Sequence, residues 1–186
     1  MRKVLALSVI ALSLCLATFN AATPASLPKS VMLDTRDYFD LQKVHQRQID
    51  CLTINTYREA GIESDLGKLA ATQLVINRVN SGLFPSTPCE VIKQRTQGVC
   101  QFSWLCKNRL PSIDWKIYNE IRQLATYVYL NHEKLHDVTK GALFYHADYV
   151  RPGWKRLKKT TKIGRHIFYK PIGEAKYGSN RSREEV

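Results

Sequence analysis

Four cysteines that follow the N-terminal apolar segment constrain this fold more than any other feature of the sequence. They are Cys51, Cys89, Cys100 and Cys106. An even number of cysteines in an oxidising compartment favours two disulfides, for which three connectivities are open. The alternatives are a zinc site and a catalytic thiol, and the spacings lack the Cys-x-x-Cys knuckle of structural zinc sites. We therefore predict a domain closed by two disulfides, with Cys89 close enough in sequence to pair with either Cys100 or Cys106.

The N-terminus predicts export. Arg2 and Lys3 precede an apolar run over residues 4–17, which contains the fifth cysteine and is followed by small residues. That order is typical of a secretory signal peptide, and about 14 apolar residues are too few for a comfortable membrane span. A buried core segment or a retained anchor is the alternative. We predict a signal peptide over 1–22, cleaved near 22–25, and a periplasmic, cell-wall or extracellular protein.

The rest of the chain is expected to form one domain. Residues 23–41 contain two prolines and mixed polarity, which indicates a linker or a loosely held arm. Residues 42–172 form the predicted catalytic domain, and 173–186 form a polar tail. A mature chain of about 160 residues is long enough to bury one core.

Hydrophobic spacing predicts a mostly helical domain. Apolar residues recur at intervals of three and four, and each series stops near a glycine or a capping residue. The predicted helices cover 49–60, 66–79, 88–94 and 114–132. Two short aromatic segments bounded by glycine or proline, 142–145 and 166–169, predict strands. The fold class is α+β, with a small antiparallel sheet in the C-terminal part.

The positive charge of the chain is concentrated near its C-terminus. Residues 151–170 contain eight lysines and arginines and no acidic residue. Such a block attracts polyanions. For an exported protein these are anionic cell-wall polymers or a lipid surface, and nucleic acid is not expected as a partner. The alternative is a solvated basic face that only keeps the protein soluble. A monomer is expected.

Glu59 is the candidate catalytic acid. Cleavage of a glycosidic bond needs a carboxyl whose pKa is raised by an apolar setting. Glu59 ends a helical run that carries Leu52 and Ile54. The alternative is an ordinary surface glutamate at a helix end. The second carboxylate that an ordinary glycoside hydrolase requires is not identified. Nothing in the sequence shows that Glu63 or Asp65 lies on the other side of a bound sugar ring from Glu59.

Other side chains combine ring faces with hydrogen-bonding groups, as a saccharide cleft requires. The candidates for holding substrate are Gln101, Phe102, Ser103, Trp104, Tyr145, His146 and Trp154. The alternative for residues 101–104 is a core strand with a buried tryptophan. His146 could be a base or a ligand, and a hydrogen-bonded core residue is the favoured interpretation. The chain contains no phosphate loop, zinc-protease motif or serine-hydrolase elbow. No metal and no cofactor are therefore predicted.

Eight short segments occur in an order that resembles one known family. They are Tyr57–Glu63, Gly67–Ala70, Val75–Val79, Phe84–Ile92, Cys100–Trp104, Gly141–His146, Arg151–Trp154 and Ile163–Tyr169. Together they are similar to the signature of the SleB-type cell-wall hydrolases, the spore-cortex-lytic and related peptidoglycan-cleaving enzymes of bacteria and phages. The resemblance covers residues 50–170. Where the family usually has Arg-Gly between two acids, this chain has Gly61 and Ile62.

The resemblance implies a lysozyme-like fold and cleavage of the β-1,4 bond between MurNAc and GlcNAc in peptidoglycan. It makes Glu59 the catalytic acid, and Glu63 a structural or substrate-orienting residue. A lytic transglycosylase needs no second carboxylate, because the C6 hydroxyl of the substrate attacks in place of water. The alternatives are a water-using muramidase, a non-catalytic wall-binding module, and an exported binder of nucleic acid or membrane surfaces.

Overall fold

The described part of the protein is built on five α-helices. The computed structural model describes residues 36–173, so the predicted signal peptide, most of the predicted linker and nearly all of the predicted tail lie outside the described residues. The helices are α1 (Arg36–Asp40), α2 (Lys43–Ala60), α3 (Asp65–Asn80), α4 (Pro88–Lys93) and α5 (Trp115–Asn131). The four helices predicted from hydrophobic spacing are confirmed, and α1 lies inside the segment expected as a linker. No helix within residues 36–173 is both long enough and apolar enough to cross a bilayer.

Side-chain caps begin three of these helices. Ser64, Thr87 and Asp114 each accept a hydrogen bond from a backbone N–H in the first turn that follows. At α4 the Thr87 hydroxyl also donates to Glu90 Oε2 at 2.8 Å, and Pro88 occupies the first turn. These contacts satisfy N–H groups that a helix start leaves without a partner.

The helices share one hydrophobic core, centred on α2. Its buried members are Ile49, Leu52, Val75, Ile76, Val91, Ile92, Phe102, Ala125 and Val128. A buried hydrogen bond of 2.8 Å between the hydroxyls of Thr56 and Thr72 joins α2 to α3 within this interior. Since α2 packs against α3, α4 and α5, its C-terminal turn is held from several sides.

A three-stranded antiparallel sheet covers part of α3. Its strands are β3 (Phe144–Ala147), β4 (Leu157–Ile163) and β5 (His166–Pro171), in the order β3-β5-β4. Ala142, Ile163 and Phe168 pack against Ala70 and Leu74 of α3. The two predicted strands correspond to β3 and β5. The middle of the predicted basic block forms β4, which the sequence analysis did not identify.

A second, smaller β-structure precedes α5. Strands β1 (Arg95–Thr96) and β2 (Val99–Cys100) form a two-stranded hairpin, and residues Ser103–Cys106 form a 3-10 helix. The segment 101–104 is therefore not a core strand, which was the alternative to the prediction that it binds substrate.

Both disulfides predicted from the cysteine count are present. Cys51 on α2 bonds Cys89 on α4 across 38 residues, and Cys100 bonds Cys106 across six. Of the three connectivities that the sequence left open, the structure has the one in which Cys89 does not pair with Cys100 or Cys106. Cys89 lies in the first turn of α4, where its backbone N–H donates to Gln48 of α2, so its side chain meets α2 rather than the later loop.

The turn between β4 and β5 contacts the loop between α2 and α3, and this contact can be tested. Gly164 has a φ of +54°, and a Cβ placed there would overlap Oε2 of Glu63. We expect Gly164→Ala to lower the free energy of unfolding by about 2 kcal/mol, through backbone strain and displacement of Glu63. Gly82→Ala is the matched control, because Gly82 also has a positive φ (+67°) but nothing lies within 4 Å of its added Cβ. Urea unfolding of both variants gives the comparison, and equal losses would mean that the Glu63 contact contributes nothing.

Candidate active site

Glu59 lies in the last turn of α2, where the helix meets the sheet. It is the penultimate residue of the helix and is half-buried. Gly61 follows with a φ of −57°, so it is not required for a left-handed turn. It is required for space, because a Cβ at Gly61 would lie 2.5 Å from the carbonyl oxygen of Tyr57. The backbone therefore stays helical through Gly61, and the Glu59 carboxyl lies one residue before the end of α2.

The hydroxyl of Tyr145 on β3 donates a hydrogen bond to Oε2 of Glu59. Burial raises the pKa of Glu59 above its ordinary value, while the Tyr145 hydrogen bond and the charges of Lys107 and Arg78 act in the lowering direction. Burial raises the pKa of Tyr145 well above its ordinary value, and the nearby Glu59 charge adds to that shift. The tyrosine therefore stays a hydroxyl donor. Glu59 holds its proton more readily than a solvated glutamate, as a general acid must.

The ring of Tyr145 is fixed by the inner face of the sheet. It stacks on Phe168 with ring centroids 5.8 Å apart and meets the edge of His166 at 4.8 Å. Burial lowers the pKa of His166, although the charges of Glu63 and Asp148 act in the opposite direction. A neutral imidazole therefore supports the tyrosine, and the hydroxyl is held in one direction.

Arg78 connects the helical layer to the strand that carries Tyr145. Its Nε donates to the carbonyl oxygen of Leu143 at 2.8 Å, just before β3 begins. Its guanidinium lies over the rings of Phe84 and Phe102, at 4.9 and 5.3 Å from their centroids. Arg78 is 5% exposed, so this charge supports Glu59 and Tyr145 from inside the protein. The arrangement is favourable because the flat faces of aromatic rings attract cations.

The loop closed by Cys100 and Cys106 forms a second boundary of the site. Trp104 donates from Nε1 to Oδ1 of Asn55 at 3.0 Å, and Asn55 lies one helical turn before Glu59. Gln101 and Ser103 are exposed at the rim, whereas Phe102 is 2% exposed and belongs to the core. The structure thus brings Trp104 close to the helix turn that carries Glu59, but the ring of Phe102 is used in packing.

The remaining predicted substrate-binding residues lie elsewhere. The carboxylate of Glu63 contacts the β4–β5 turn, where the backbone N–H of Arg165 approaches its Oε2 at 3.4 Å. His146 and Trp154 lie on the outer face of the sheet, because side chains alternate along β3 and Tyr145 points inward. The structure therefore does not place these three side chains beside the Glu59–Tyr145 pair.

Two residues of the site were not identified from the sequence. Asn55 and Arg78 are buried polar side chains inside helices, and the apolar spacing around them predicts only a helix. Their positions become informative once α2, α3 and the loop 100–106 are folded together. Among residues 36–173, no group of three or more His, Cys, Asp or Glu side chains is arranged to hold a metal ion.

Comparison with known proteins identifies one family and two similar structures. The Cell Wall Hydrolase family profile matches residues 62–169, and the match begins three residues after Glu59. The catalytic domain of the germination-specific lytic transglycosylase SleB from Bacillus anthracis superimposes with a TM-score of 0.52 and 30% identity, covering 67% of this chain and 95% of that domain. No curated protein matches the chain in sequence.

A second SleB structure gives the same result. The catalytic domain of the Bacillus cereus SleB protein superimposes with a TM-score of 0.50 and 28% identity, covering 67% of this chain and 91% of that domain. Both comparisons agree with the α+β architecture described above. The family profile matches more than half of this chain, and the chain therefore belongs to the Cell Wall Hydrolase family.

Proposed function

We propose that this protein is exported and cleaves the β-1,4 bond between MurNAc and GlcNAc of peptidoglycan as a lytic transglycosylase. The observation that carries the proposal is the desolvated Glu59 carboxyl, hydrogen-bonded to Tyr145 at the end of α2. The family supports a cell-wall glycan as the substrate, and one SleB neighbour is described as a lytic transglycosylase. Two disulfides are typical of proteins outside the cytoplasm, which supports export.

The chemistry needs one carboxyl that works twice. Protonated Glu59 gives its proton to the bridging glycosidic oxygen, and the bond between that oxygen and C1 of MurNAc breaks. The resulting carboxylate takes the proton of the C6 hydroxyl of the same sugar, while that oxygen bonds to C1 and closes the 1,6-anhydro ring. The proton returns to Glu59, so atoms and charges balance.

The surroundings of Glu59 support a mechanism with a single acid. The charged groups that shift its pKa are the cations Lys107 and Arg78. Glu63, the nearest acid along the described helix-loop segment, contacts the β4–β5 turn instead. A hydrolase of the ordinary kind places two carboxyls across one sugar ring, roughly 5–9.5 Å apart. A substrate hydroxyl as nucleophile removes the need for that second group.

Mass spectrometry of digested peptidoglycan tests the proposed reaction. A transglycosylase leaves 1,6-anhydro-MurNAc ends, which are lighter than hydrolysed ends by one water. We expect anhydro products from the wild-type protein. Hydrolysed ends would make it a water-using muramidase, and intact glycan that retains bound protein would make it a non-catalytic wall-binding module.

Tyr145→Phe tests how the hydrogen bond sets the pKa of Glu59. A general acid loses activity as pH rises through its pKa, so the alkaline limb of the pH–rate profile reports Glu59. The Tyr145 hydroxyl stabilises the charged carboxylate, so its removal raises the pKa further. We expect the alkaline limb to move to higher pH while the maximal rate falls by about tenfold, through lost positioning of the acid.

Tyr129→Phe is the matched control for this experiment. Its hydroxyl bonds His45 on α2, at the opposite end of that helix from Glu59, so its loss should leave the alkaline limb in place. A Tyr145→Phe profile that falls in rate without moving, or that moves to lower pH, would contradict the assigned role of this hydrogen bond.

A further inference from the structure

The outer face of the sheet contains a groove that lies opposite the Glu59 site. Its volume is about 360 Å³, and its lining includes His146, Trp154, Tyr169 and Arg151. Tyr145 and His146 are neighbours on β3, so their side chains point to opposite faces of the sheet. We call this surface the outer-face groove. Glu59 and Tyr145 are not among the residues that line it.

Three rings in the outer-face groove are packed into one aromatic cluster. The imidazole of His146 stacks on Tyr169 with centroids 5.2 Å apart, and its Nε2 lies 3.0 Å from the Tyr169 hydroxyl. Trp154 meets both rings edge-on, at 5.5 Å from His146 and 5.9 Å from Tyr169. Trp154 remains 44% exposed, so one large ring is available to a ligand. An exposed indole supported by half-buried rings gives a flat, rigid contact surface at low entropic cost.

Positive charges border the same rings. Lys159 lies directly opposite Tyr169 in the pairing of β4 with β5, which places both side chains on the outer face. The acid of the groove, Asp148, is already neutralised by Lys162 at 3.0 Å and Arg165 at 3.8 Å. Among the described residues, neither Arg151 nor Lys159 is paired with a carboxylate. The groove therefore presents a net positive charge beside an exposed ring.

We propose that the outer-face groove is a second, non-catalytic binding site for an anionic saccharide of the cell wall. A pyranose ring stacks on Trp154, and a carboxylate or phosphate attached to it pairs with Arg151 and Lys159. The negative group comes either from peptidoglycan itself or from an anionic polymer attached to it. This inference rests on the proposed wall substrate, but it does not depend on Glu59 as the acid.

Binding to insoluble peptidoglycan sacculi tests the site. All proteins carry Glu59→Gln, so that bound material is not degraded, and the bound fraction is measured by sedimentation. We expect the addition of Trp154→Ala to weaken binding by roughly three- to tenfold, the range expected for loss of one aromatic contact. Trp115→Ala is the matched control, because Trp115 is 64% exposed at the start of α5 and packs on Tyr118. It should bind as tightly as the parent.

Trp154 also packs on Phe144, so its replacement by alanine could weaken binding by disturbing the fold. Trp154→Phe tests for that effect. This variant keeps a ring in the contact, and we expect an intermediate affinity. Unchanged binding in both Trp154 variants would overturn the proposal, as would an equal loss in Trp115→Ala. A negative result in this experiment would not contradict the role of Glu59 as the acid, because cleavage products are not measured in it.

Two further arms identify the ligand. Sacculi stripped of attached anionic polymers are compared with unstripped sacculi. Trp154-dependent binding to both assigns the negative group to peptidoglycan, and Trp154-dependent binding only to unstripped sacculi assigns it to the attached polymer. Anionic vesicles and duplex DNA serve as other polyanions. If the protein binds vesicles or DNA as tightly as it binds sacculi, and Trp154→Ala weakens that binding equally, the proposal of a saccharide ligand is contradicted.

Discussion

Glu59→Gln is expected to lower the rate of glycan cleavage by roughly 10⁴-fold, at the upper end of what one general acid–base group contributes. The effect is large because the same carboxyl donates the first proton and accepts the second. Glutamine keeps the shape of the side chain, and its carbonyl oxygen still accepts the Tyr145 hydrogen bond. Loss of turbidity of a sacculus suspension and release of soluble fragments give the rates.

The stability of the same variant separates chemistry from misfolding. Because burial raises the pKa of folded Glu59, its contribution to stability is present below the unfolded pKa and is lost as pH rises through the folded pKa. Above that range the wild type buries a charge. We therefore expect Glu59→Gln to be at least as stable as the wild type at neutral pH in urea unfolding.

Two other glutamates provide controls. Glu90→Gln changes an exposed residue of the α4 cap and should retain full activity. Glu63→Gln separates the mechanisms, because Glu63 contacts the β4–β5 turn and takes no part in a single-acid reaction. If the folded Glu59→Gln variant still lyses sacculi, another residue must be the catalytic acid. A loss in Glu63→Gln as large as that in Glu59→Gln would favour a two-carboxylate hydrolase.

Removal of the Cys51–Cys89 disulfide is expected to have the largest effect on stability. The bond closes 38 residues and joins α2 to α4, with Cys51 packed against the hydrophobic core. In the chain-entropy description, a loop of that length is worth about 4 kcal/mol, because the unfolded chain regains the freedom that the crosslink removed. We expect Cys51→Ala/Cys89→Ala to lose that amount in urea unfolding under oxidising conditions.

The Cys100–Cys106 disulfide is the internal comparison. It closes only six residues, for which the same description gives about 2 kcal/mol. Its loop positions Trp104 against Asn55, so we expect its removal to raise KM more than the other pair does. Equal losses of stability from the two double variants would mean that loop length does not decide the effect.

Helices α2 to α5 were accessible from the sequence because each combines apolar residues at helical spacing with a local stop or start signal, whereas α1 lies in the segment expected as a linker. Thr87, Pro88 and Glu90 are one example, where three neighbouring residues determine a helix start. Strand β4 was missed for the opposite reason. Its Lys and Thr side chains are mostly exposed, so its hydrophobic alternation is weak, and only pairing with β5 makes it a strand.

The site was less accessible, because its contacts join distant parts of the chain. Glu59 could be selected for its place at a helix end, but its partner Tyr145 lies 86 residues away on β3. Phe102 has the composition of a sugar-stacking residue, and only packing against Arg78 shows that its ring is in the core. His146 shared a motif with Tyr145, yet strand alternation sends the two side chains to opposite faces.

That alternation has a consequence for how this chain tolerates changes of length. Strand β3 pairs with β5 residue by residue from Phe144 to Ala147, and it lies at the edge of the sheet. Deleting or inserting one residue within β3 would turn His146 toward Glu59 and Tyr145 toward solvent. The loop 148–156 separates β3 from β4 and can absorb such changes without reversing either face. Insertions and deletions should therefore be tolerated in that loop and not within β3. The register of the four residues of β3 keeps the two faces of the sheet distinct.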